Sequence, residues 1–462
     1  MPEKILFVTG KLAAPALHAT LVRAALPFEH EVAVMKISVA ALMTPEWIAK
    51  FLKVPAGVTR IMIPGACEGD VRLLEDQFGV PVEKGPVDLK QLPRHFGSAA
   101  TQAAYGGHDI RIFAEINNAP TLSAEAIYNR AAYFRDNGAD VIDLGMSLDR
   151  QWLDEGPGVI GELKARGFVL SIDTLHPDEI RMGDAAGVDY VLSLNSSNRH
   201  LAAELRATPI LIPDSPAELD TLDATLAELE RLRKPHVLDP ILSPINFGFA
   251  DSLARYHAVR RKHPAAEMMM GIGNLTELTE ADSTGMTALM IGFCQELGIR
   301  NVLTTEVIPW ARGVVRETAI ARELMYCAQQ QGGIPKHIDS RLLTVKDPEL
   351  TPYSEVELRD LQAQVTDPNY RIYADGAWIY AFNADVFVKG ADAQDVFDQL
   401  SIDEATHAFY LGKELMKAQI ALALGKNYRQ EAPLNWGYLT VPERRHERVK
   451  LTARKRKSKA DK

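Results

Sequence analysis

Six carboxylate or amide side chains follow short apolar segments in the central half of the chain. They are Asn117, Asp143, Asp173, Asn195, Asp239 and Asn274. A carboxylate accepts two parallel hydrogen bonds from an amino-substituted ring edge, and an amide offers one donor and one acceptor beside it. In one pocket such side chains would recognise a flat polar heterocycle, because a polar group left unpaired there costs about 1 to 3 kcal/mol. The set contains no histidine trio, which argues against a metal-hydrolase site.

The structural alternative for each of these residues is a cap, because an aspartate after a strand often only caps the next helix. The strands and helices between these residues determine whether their side chains lie in one pocket. Eight apolar segments recur at intervals of a helix plus its loops, at 111–115, 141–143, 169–173, 190–194, 210–212, 236–239, 268–272 and 301–305. Parallel strands need such crossovers, so the spacing predicts a (β/α)8 barrel. Reacting groups of these barrels lie at the carboxyl ends of strands, where the six side chains would converge.

The barrel is flanked on both sides. We predict a small α/β domain at 1–98, the barrel at 108–330, an α+β domain at 335–440 and a basic, disordered tail at 443–462. The first segment begins with a buried strand near Ile5, a Gly turn and a helical stretch. The third alternates like strands from Asp367 to Lys389 and continues in an amphipathic helix from Asp403.

Composition limits the class of protein. The chain has 462 residues, is 47% hydrophobic and carries a net charge of −10. The tail from Glu443 holds ten Lys and Arg against three acids, a balance of +7, so the preceding body carries −17. An acidic body argues against nucleic acid as the main partner. Since no run approaches the roughly 18 apolar residues of a membrane span and a strand begins within four residues, we expect a cytoplasmic protein without a signal peptide.

The three cysteines are separated widely in the sequence. Cys67, Cys294 and Cys327 lack the spacing of a metal site. In a cytosolic chain we expect them to be reduced and structural.

Several motifs occur in a fixed order along the predicted barrel. They are GADVIDLG at 138–145 with Arg150, LSIDT at 170–174, LSLN at 192–195, and LDP at 238–240 with Phe247 and Gly248. In this order the motifs resemble those of the pterin-binding family that includes dihydropteroate synthase. The resemblance covers about residues 110 to 325 and implies a barrel that binds a pterin in its carboxyl-end mouth.

The resemblance also implies roles for individual residues. Those expected to bind the pterin are Asp143, Asp173, Asn195, Asp239 and Phe247. Asn117 matches a loop asparagine that faces a pyrophosphate and its Mg²⁺, and Arg150 falls where a mobile-loop arginine is expected. The implied reaction joins a pterin methyl pyrophosphate to an arylamine, with Mg²⁺ and Arg150 stabilising the departing pyrophosphate.

Two strand ends depart from the synthase pattern. After strand seven the chain has Gly-Ile-Gly-Asn at 271–274 in place of Ser-Arg-Lys, and strand eight ends in Thr-Thr-Glu at 304–306 without an Arg-x-His. Asn274 is more similar to the asparagine of pterin-dependent methyltransferases that pass a methyl group to a corrinoid. Glu306 would repel the carboxylate of p-aminobenzoate and would favour an arylamine that carries a sugar.

Three functions therefore remain. The leading hypothesis is a dihydropteroate synthase-like transferase of tetrahydromethanopterin biosynthesis, in which Asn117, Arg150 and Asn274 belong to the catalytic site. The helix at 404–415 resembles a domain of proteins from tetrahydromethanopterin-using organisms. The alternatives are a methyltransferase that acts with a corrinoid and a non-catalytic pterin-binding protein. Barrels of this family often pair through their outer helices, so the resemblance also implies a homodimer.

Overall fold

The structure is a computed structural model that divides into two compact units, Met1–Ala103 with Leu343–Lys462, and Ala104–Leu342. It describes residues 3–24, 26, 28–37, 40, 43–86, 89, 92–97, 105–147 and 151–443. Arg150 and the basic tail beyond residue 443 lie outside the described residues, so the expectations placed on them stay predictions. The domain boundaries inferred from the sequence also stay predictions.

The first unit contains a four-stranded parallel sheet. Its strands are β1 Lys4–Thr9, β2 Glu29–Val34, β3 Arg60–Ile63 and β4 Val82–Lys84, in the order β2-β1-β3-β4. The helices between and after them are α1 Ala14–Ala24, α2 Pro45–Phe51, α3 Arg72–Phe78 and α4 Leu92–Gly97. Apolar side chains of β1 and β3 pack on both faces of the sheet, as expected for a parallel sheet covered by helices. The strand expected near Ile5 is β1, whereas the three-residue β4 was too short to predict from the sequence.

The second unit is built on an eight-stranded parallel sheet. Its strands are β5 Arg111–Ile116, β6 Val141–Gly145, β7 Leu170–Asp173, β8 Tyr190–Leu194, β9 Thr208–Leu211, β10 Val237–Leu238, β11 Met269–Gly271 and β12 Asn301–Thr305. The order is β10-β9-β8-β7-β6-β5-β12-β11. A parallel bridge between Leu238 and Met268 joins the two ends of this order, so the sheet closes into a barrel. This confirms the barrel predicted from the sequence.

Helices surround the barrel. They are α5 Ala124–Asp136, α6 Gly156–Ala165, α7 Pro177–Ala186, α8 Leu219–Arg231, α9 Phe249–Lys262, α10 Gly273–Thr276, α11 Ser283–Leu297 and α12 Val314–Gln330. Between β8 and β9 the crossover contains the 3-10 helix Arg199–Ala203 instead of an α-helix. Before the last of these helices, Pro309–Ala311 forms a 3-10 turn, and Gly313 precedes α12 with a φ of 93°.

The chain after the barrel contains a small antiparallel sheet. Its strands are β13 Arg371–Ala374, β14 Ile379–Phe382 and β15 Phe387–Gly390. The helices of this segment are α13 Glu355–Ala363, α14 Ala393–Phe397 and α15 Ala405–Leu424. Leu411, Leu415 and Ala418 of α15 pack on Ile372 and Ile379 of the sheet, which confirms the helical spacing noted in the sequence.

Two further features concern the cysteines and the possibility of membrane-spanning helices. All three cysteines are buried and none forms a disulfide. Among the described residues, no helix combines the length and the apolar character that a membrane crossing requires.

Candidate functional site

The interior of the barrel changes from apolar to acidic toward its carboxyl end. Buried side chains of six strands form one interior cluster, namely Phe113, Val141, Leu192, Ile210, Val237 and Met269. Side chains two residues apart on a strand face the same side. Glu115 therefore follows Phe113, Asp143 follows Val141 and Asp239 follows Val237 toward the mouth. An acidic layer lies directly above the apolar one.

Three carboxylates of this layer converge on one another. Glu115, Asp143 and Asp173 each place a carboxylate oxygen so that all three lie within 4.8 Å of one another. Strand register produces this meeting, because Glu115 pairs with Asp143 and Ser171 pairs with Asp143 on the other side. We call Glu115, Asp143 and Asp173 the carboxylate triad.

Asp143 is the most enclosed member of the triad. Its side chain is fully buried, and its Oδ1 accepts a hydrogen bond of 2.5 Å from the Ser171 hydroxyl. No described residue donates a hydrogen bond to its Oδ2. A buried acceptor without a donor costs on the order of 1 to 3 kcal/mol, so this atom points to a partner that a ligand supplies.

Burial and mutual repulsion raise the pKa values of the triad. Burial raises the pKa of Glu115 to about 7, and the charge of Asp173 adds to this effect. Burial and the neighbouring charge of Asp239 raise the pKa of Asp173 to about 6. For Asp143, burial and the other two acids raise the pKa well above its ordinary value. A ligand that brings hydrogen-bond donors or positive charge would relieve this repulsion.

Asp239 is the fourth acid at the mouth, and its orientation is fixed by protein contacts. Its Oδ1 accepts hydrogen bonds from the Tyr256 hydroxyl at 2.6 Å and from the Ile241 amide at 2.8 Å. Tyr256 is a fully buried residue of α9. Burial raises the pKa of Asp239 to about 6, although these two hydrogen bonds act in the opposite direction. Because both described hydrogen bonds reach Oδ1, Oδ2 is left for a ligand.

Two asparagines present opposite ends of their amides. Asn195 accepts through Oδ1 from the Ser197 amide at 3.0 Å and the Ser197 hydroxyl at 2.6 Å. Since a backbone N–H must meet an oxygen, the Nδ2 donor of Asn195 stays available. Asn274 instead donates from Nδ2 to the Leu242 carbonyl at 2.8 Å, which leaves its Oδ1 acceptor available. The mouth therefore combines several acceptors with one oriented donor.

The other predicted residues lie around this centre. Asn117 directly follows β5, and its Oδ1 accepts a hydrogen bond from the Thr305 hydroxyl. Glu306 accepts from the Tyr133 hydroxyl and from the Val315 amide at the start of α12, both at 3.2 Å. Phe247 is 81% exposed on the loop before α9, so the structure does not bring it into the buried acidic layer.

Sequence reasoning missed Glu115, Ser171 and Tyr256 as parts of the site. Glu115 had a signal, because an acid interrupts the apolar run that follows Arg111 in β5. Ser171 and Tyr256 had none, since neither a single serine in a strand nor a single tyrosine in a helix forms a motif with a chemical role.

Gly145 leaves the space that the Glu115 carboxylate occupies. A Cβ atom at Gly145 would lie 2.5 Å from Glu115 Oε1, closer than real Cβ atoms approach an oxygen. The glycine of the GADVIDLG motif is therefore explained by the triad and not by backbone conformation.

Two segments of the chain match family models. Residues 370–431 match the family PterinBD-DUF4346, and residues 3–87 match a family of unknown function, DUF6513. The first match falls on β13 to α15 and confirms the resemblance to pterin-binding proteins. An uncharacterized protein of Methanocaldococcus jannaschii is 26% identical and aligns with 93% of this chain and 99% of its own length.

Solved structures similar to this chain include several dihydropteroate synthases. The enzyme of Yersinia pestis with a pterin–sulfa conjugate is 16% identical, with a TM-score of 0.37 over 48% of this chain and 94% of its own. The enzyme of Xanthomonas albilineans with 7,8-dihydropteroate is 18% identical, with a TM-score of 0.38 over 49% of this chain and 94% of its own.

Proposed function

We propose that the barrel mouth binds a pterin and that the protein is a dihydropteroate synthase-like transferase. The observation that supports this proposal most is the acidic layer inside the barrel, with Asp239 and Asn195 held in fixed orientations. The 2-amino group and the adjacent ring N–H of a pterin form two parallel donors. The free Oδ2 of Asp239 can accept from this edge, and Asn195 Nδ2 can donate to a ring acceptor.

The triad extends the same complementarity. Asp173 supplies acceptors for further ring N–H groups, and Asp143 offers its unpartnered Oδ2. Since burial and mutual repulsion raise the pKa values of these acids, hydrogen bonds from a donor-rich ring would stabilise their ionised forms. A ring without donors on this edge would leave several buried acceptors unsatisfied, at about 1 to 3 kcal/mol each.

The proposed reaction is displacement at the methylene group of a pterin methyl pyrophosphate. The arylamine nitrogen forms the new C–N bond, the C–O bond breaks with its electron pair, and the amine then loses a proton. The residues that would hold the pyrophosphate end are Asn117, next to the triad, and Arg150. Mg²⁺ bound to pyrophosphate would neutralise its developing charge. No side-chain nucleophile is required.

Glu306 is proposed to select the arylamine. Its carboxylate lies at the end of β12, hydrogen-bonded to Tyr133 and the first turn of α12. A negative charge at this edge disfavours a substrate carboxylate and suits the hydroxyls of a ribosylated amine. This preference, with the sequence resemblance of the 404–415 helix, supports a place in tetrahydromethanopterin biosynthesis.

A methyl transfer to a corrinoid is the second candidate, and one contact favours it. Because Asn274 Nδ2 donates to Leu242, its available Oδ1 can accept from a protonated ring nitrogen. A synthase has no need of this acceptor. The two candidates share the pterin site and differ in the leaving group.

Product analysis separates the two candidates. The purified protein is incubated with Mg²⁺, a pterin methyl pyrophosphate and either p-aminobenzoate or its ribosylated analogue, and pyrophosphate and the coupled pterin are quantified. We expect the coupling to be at least about ten-fold more efficient with the ribosylated amine than with p-aminobenzoate. In Glu306→Lys, the difference in coupling efficiency between the two amines should be smaller. Corrinoid-dependent demethylation of a methylated pterin without any pyrophosphate release would overturn the synthase assignment.

A further inference from the structure

We propose that the carboxylate triad of Glu115, Asp143 and Asp173 binds a divalent cation directly, before any pyrophosphate is bound. This site is distinct from the magnesium expected next to Asn117 through pyrophosphate. It does not depend on the pterin proposal, although it shares two side chains with the proposed pterin site.

The unpartnered oxygen of Asp143 is the first argument. Asp143 is fully buried, its Oδ1 accepts from Ser171, and its Oδ2 accepts from no described residue. One of its carboxylate oxygens lies within 4.8 Å of carboxylate oxygens of Glu115 and Asp173. In the part of the chain that the structure describes, no hydrogen bond reaches the carboxylates of Glu115 or Asp173. Three converging side chains with free acceptor oxygens fit a cation, because such oxygens can coordinate a metal ion directly.

The separation of the oxygens fits a single ion. Opposite ligands of an ion are separated by twice the metal–oxygen distance, about 4.2 Å for Mg²⁺ and about 4.6 to 5.2 Å for Ca²⁺. The triad oxygens lie within 4.8 Å of one another, which one hard cation can span. Carboxylate oxygens are the ligands that Mg²⁺, Mn²⁺ and Ca²⁺ prefer.

The surrounding charges strengthen the argument. Within the described residues, the charged neighbours that shift the pKa values of the triad are all acids, namely Asp239, Glu277 and the triad members themselves. Among the described residues, no lysine or arginine contributes to the pKa shifts of the triad, whereas Arg255 acts on the neighbouring Asp239. A divalent ion would offset the charges of the triad, and the missing side chain at Gly145 leaves room for the Glu115 carboxylate.

Manganese binding to the unliganded protein tests this site. Mn²⁺ is titrated into the full-length protein at pH 7.5 without pterin or pyrophosphate, and free Mn²⁺ is measured by electron paramagnetic resonance. We expect one bound ion per chain that Mg²⁺ or Ca²⁺ displaces. Glu115→Gln should weaken Mn²⁺ binding at least about ten-fold, because a ligand charge is lost while the side chain keeps its size.

Two further variants keep the test falsifiable. Gly145→Ala should also weaken Mn²⁺ binding, because the new methyl group displaces the Glu115 carboxylate. Glu125→Gln, an exposed glutamate in the first turn of α5, should bind Mn²⁺ as the wild type does. The absence of a Mn²⁺ site in the wild type at millimolar metal, or unchanged binding in a folded Glu115→Gln, would overturn the proposal. Pterin binding measured in chelator-treated protein reports separately on the proposed function.

Discussion

Single residues at the barrel mouth are arranged so that hydrogen bonds fix one end of a polar group and leave the other end available. Asp239 is held at Oδ1 by Tyr256, Asn195 is held at Oδ1 by Ser197, and Asn274 is held at Nδ2 by Leu242. Such fixed side chains lose little rotamer freedom on binding, which favours affinity and selectivity. The contact between Tyr256 and Asp239 therefore matters although Tyr256 is buried beneath the mouth.

Replacing Tyr256 by Phe tests this positioning role. The variant keeps the ring but removes the hydroxyl that orients Asp239, so we expect pterin affinity to fall by about three- to ten-fold. It should also raise the pKa of Asp239, because that hydrogen bond favours the ionised carboxylate. Calorimetric titrations from pH 5 to 8 measure both effects. An unchanged affinity and an unchanged pH profile would show that Tyr256 has only a packing role.

The raised pKa values predict that the empty protein loses stability as the pH rises. Folding raises the pKa of Asp173 to about 6 and of Glu115 to about 7. The native state therefore binds more protons than the unfolded state between about pH 4 and pH 7, and its stability falls through this window. The Tm of the wild type should decrease between pH 5 and pH 8. It should decrease less in Asp173→Asn, because this variant has no titrating group at position 173. Each pKa unit corresponds to about 1.4 kcal/mol, or a few degrees. Equal decreases in both proteins would contradict this assignment.

At the scale of elements, strand spacing was predictable because a parallel sheet buries both faces and each strand is a short apolar run. The strands Tyr190–Leu194 and Asn301–Thr305 agree with the sequence prediction at both ends. Helix boundaries were harder to predict from the sequence, since the turns before α12 depend on packing. The meeting of Glu115 with Asp143 was not predictable from either segment alone, because strand register places them side by side.

The turn between α5 and β6 provides a test of element packing. Gly138 has a φ of 103°, and a Cβ there would lie 2.6 Å from the Cβ of Ala319 on α12. Gly138→Ala should lower the free energy of unfolding by about 1 to 3 kcal/mol. Gly158→Ala is the matched control inside α6, where no atom of the described residues lies within 4 Å of the new Cβ, and it should stabilise by about 0.5 to 1 kcal/mol. Urea denaturation measures both variants, and equal stability of the two would contradict the predicted clash.

At the scale of the whole molecule, the barrel holds the proposed chemistry in one unit, whereas the family models match segments outside it. The model named for a pterin-binding domain covers 370–431, and the relative from Methanocaldococcus jannaschii aligns with 93% of the chain. The alignment with that relative therefore includes most of the flanking segments as well as the barrel. The flanking segments contain no sequence motif that indicates a chemical role. The sequence therefore predicted individual site residues for the barrel but only the fold class of the flanking segments.

Calorimetric titration of the full-length protein with a dihydropterin tests the central claim most directly. Wild-type protein should bind one pterin per chain, and Asp239→Ala should bind it at least about ten-fold more weakly, because hydrogen bonds to a charged group contribute about 1.5 to 3 kcal/mol each. Asp136→Ala, which removes an exposed carboxylate at the end of α5, should leave the affinity unchanged. No binding to the wild type at millimolar dihydropterin, or equal affinity in a folded Asp239→Ala, would contradict the assignment of the barrel mouth as a pterin site.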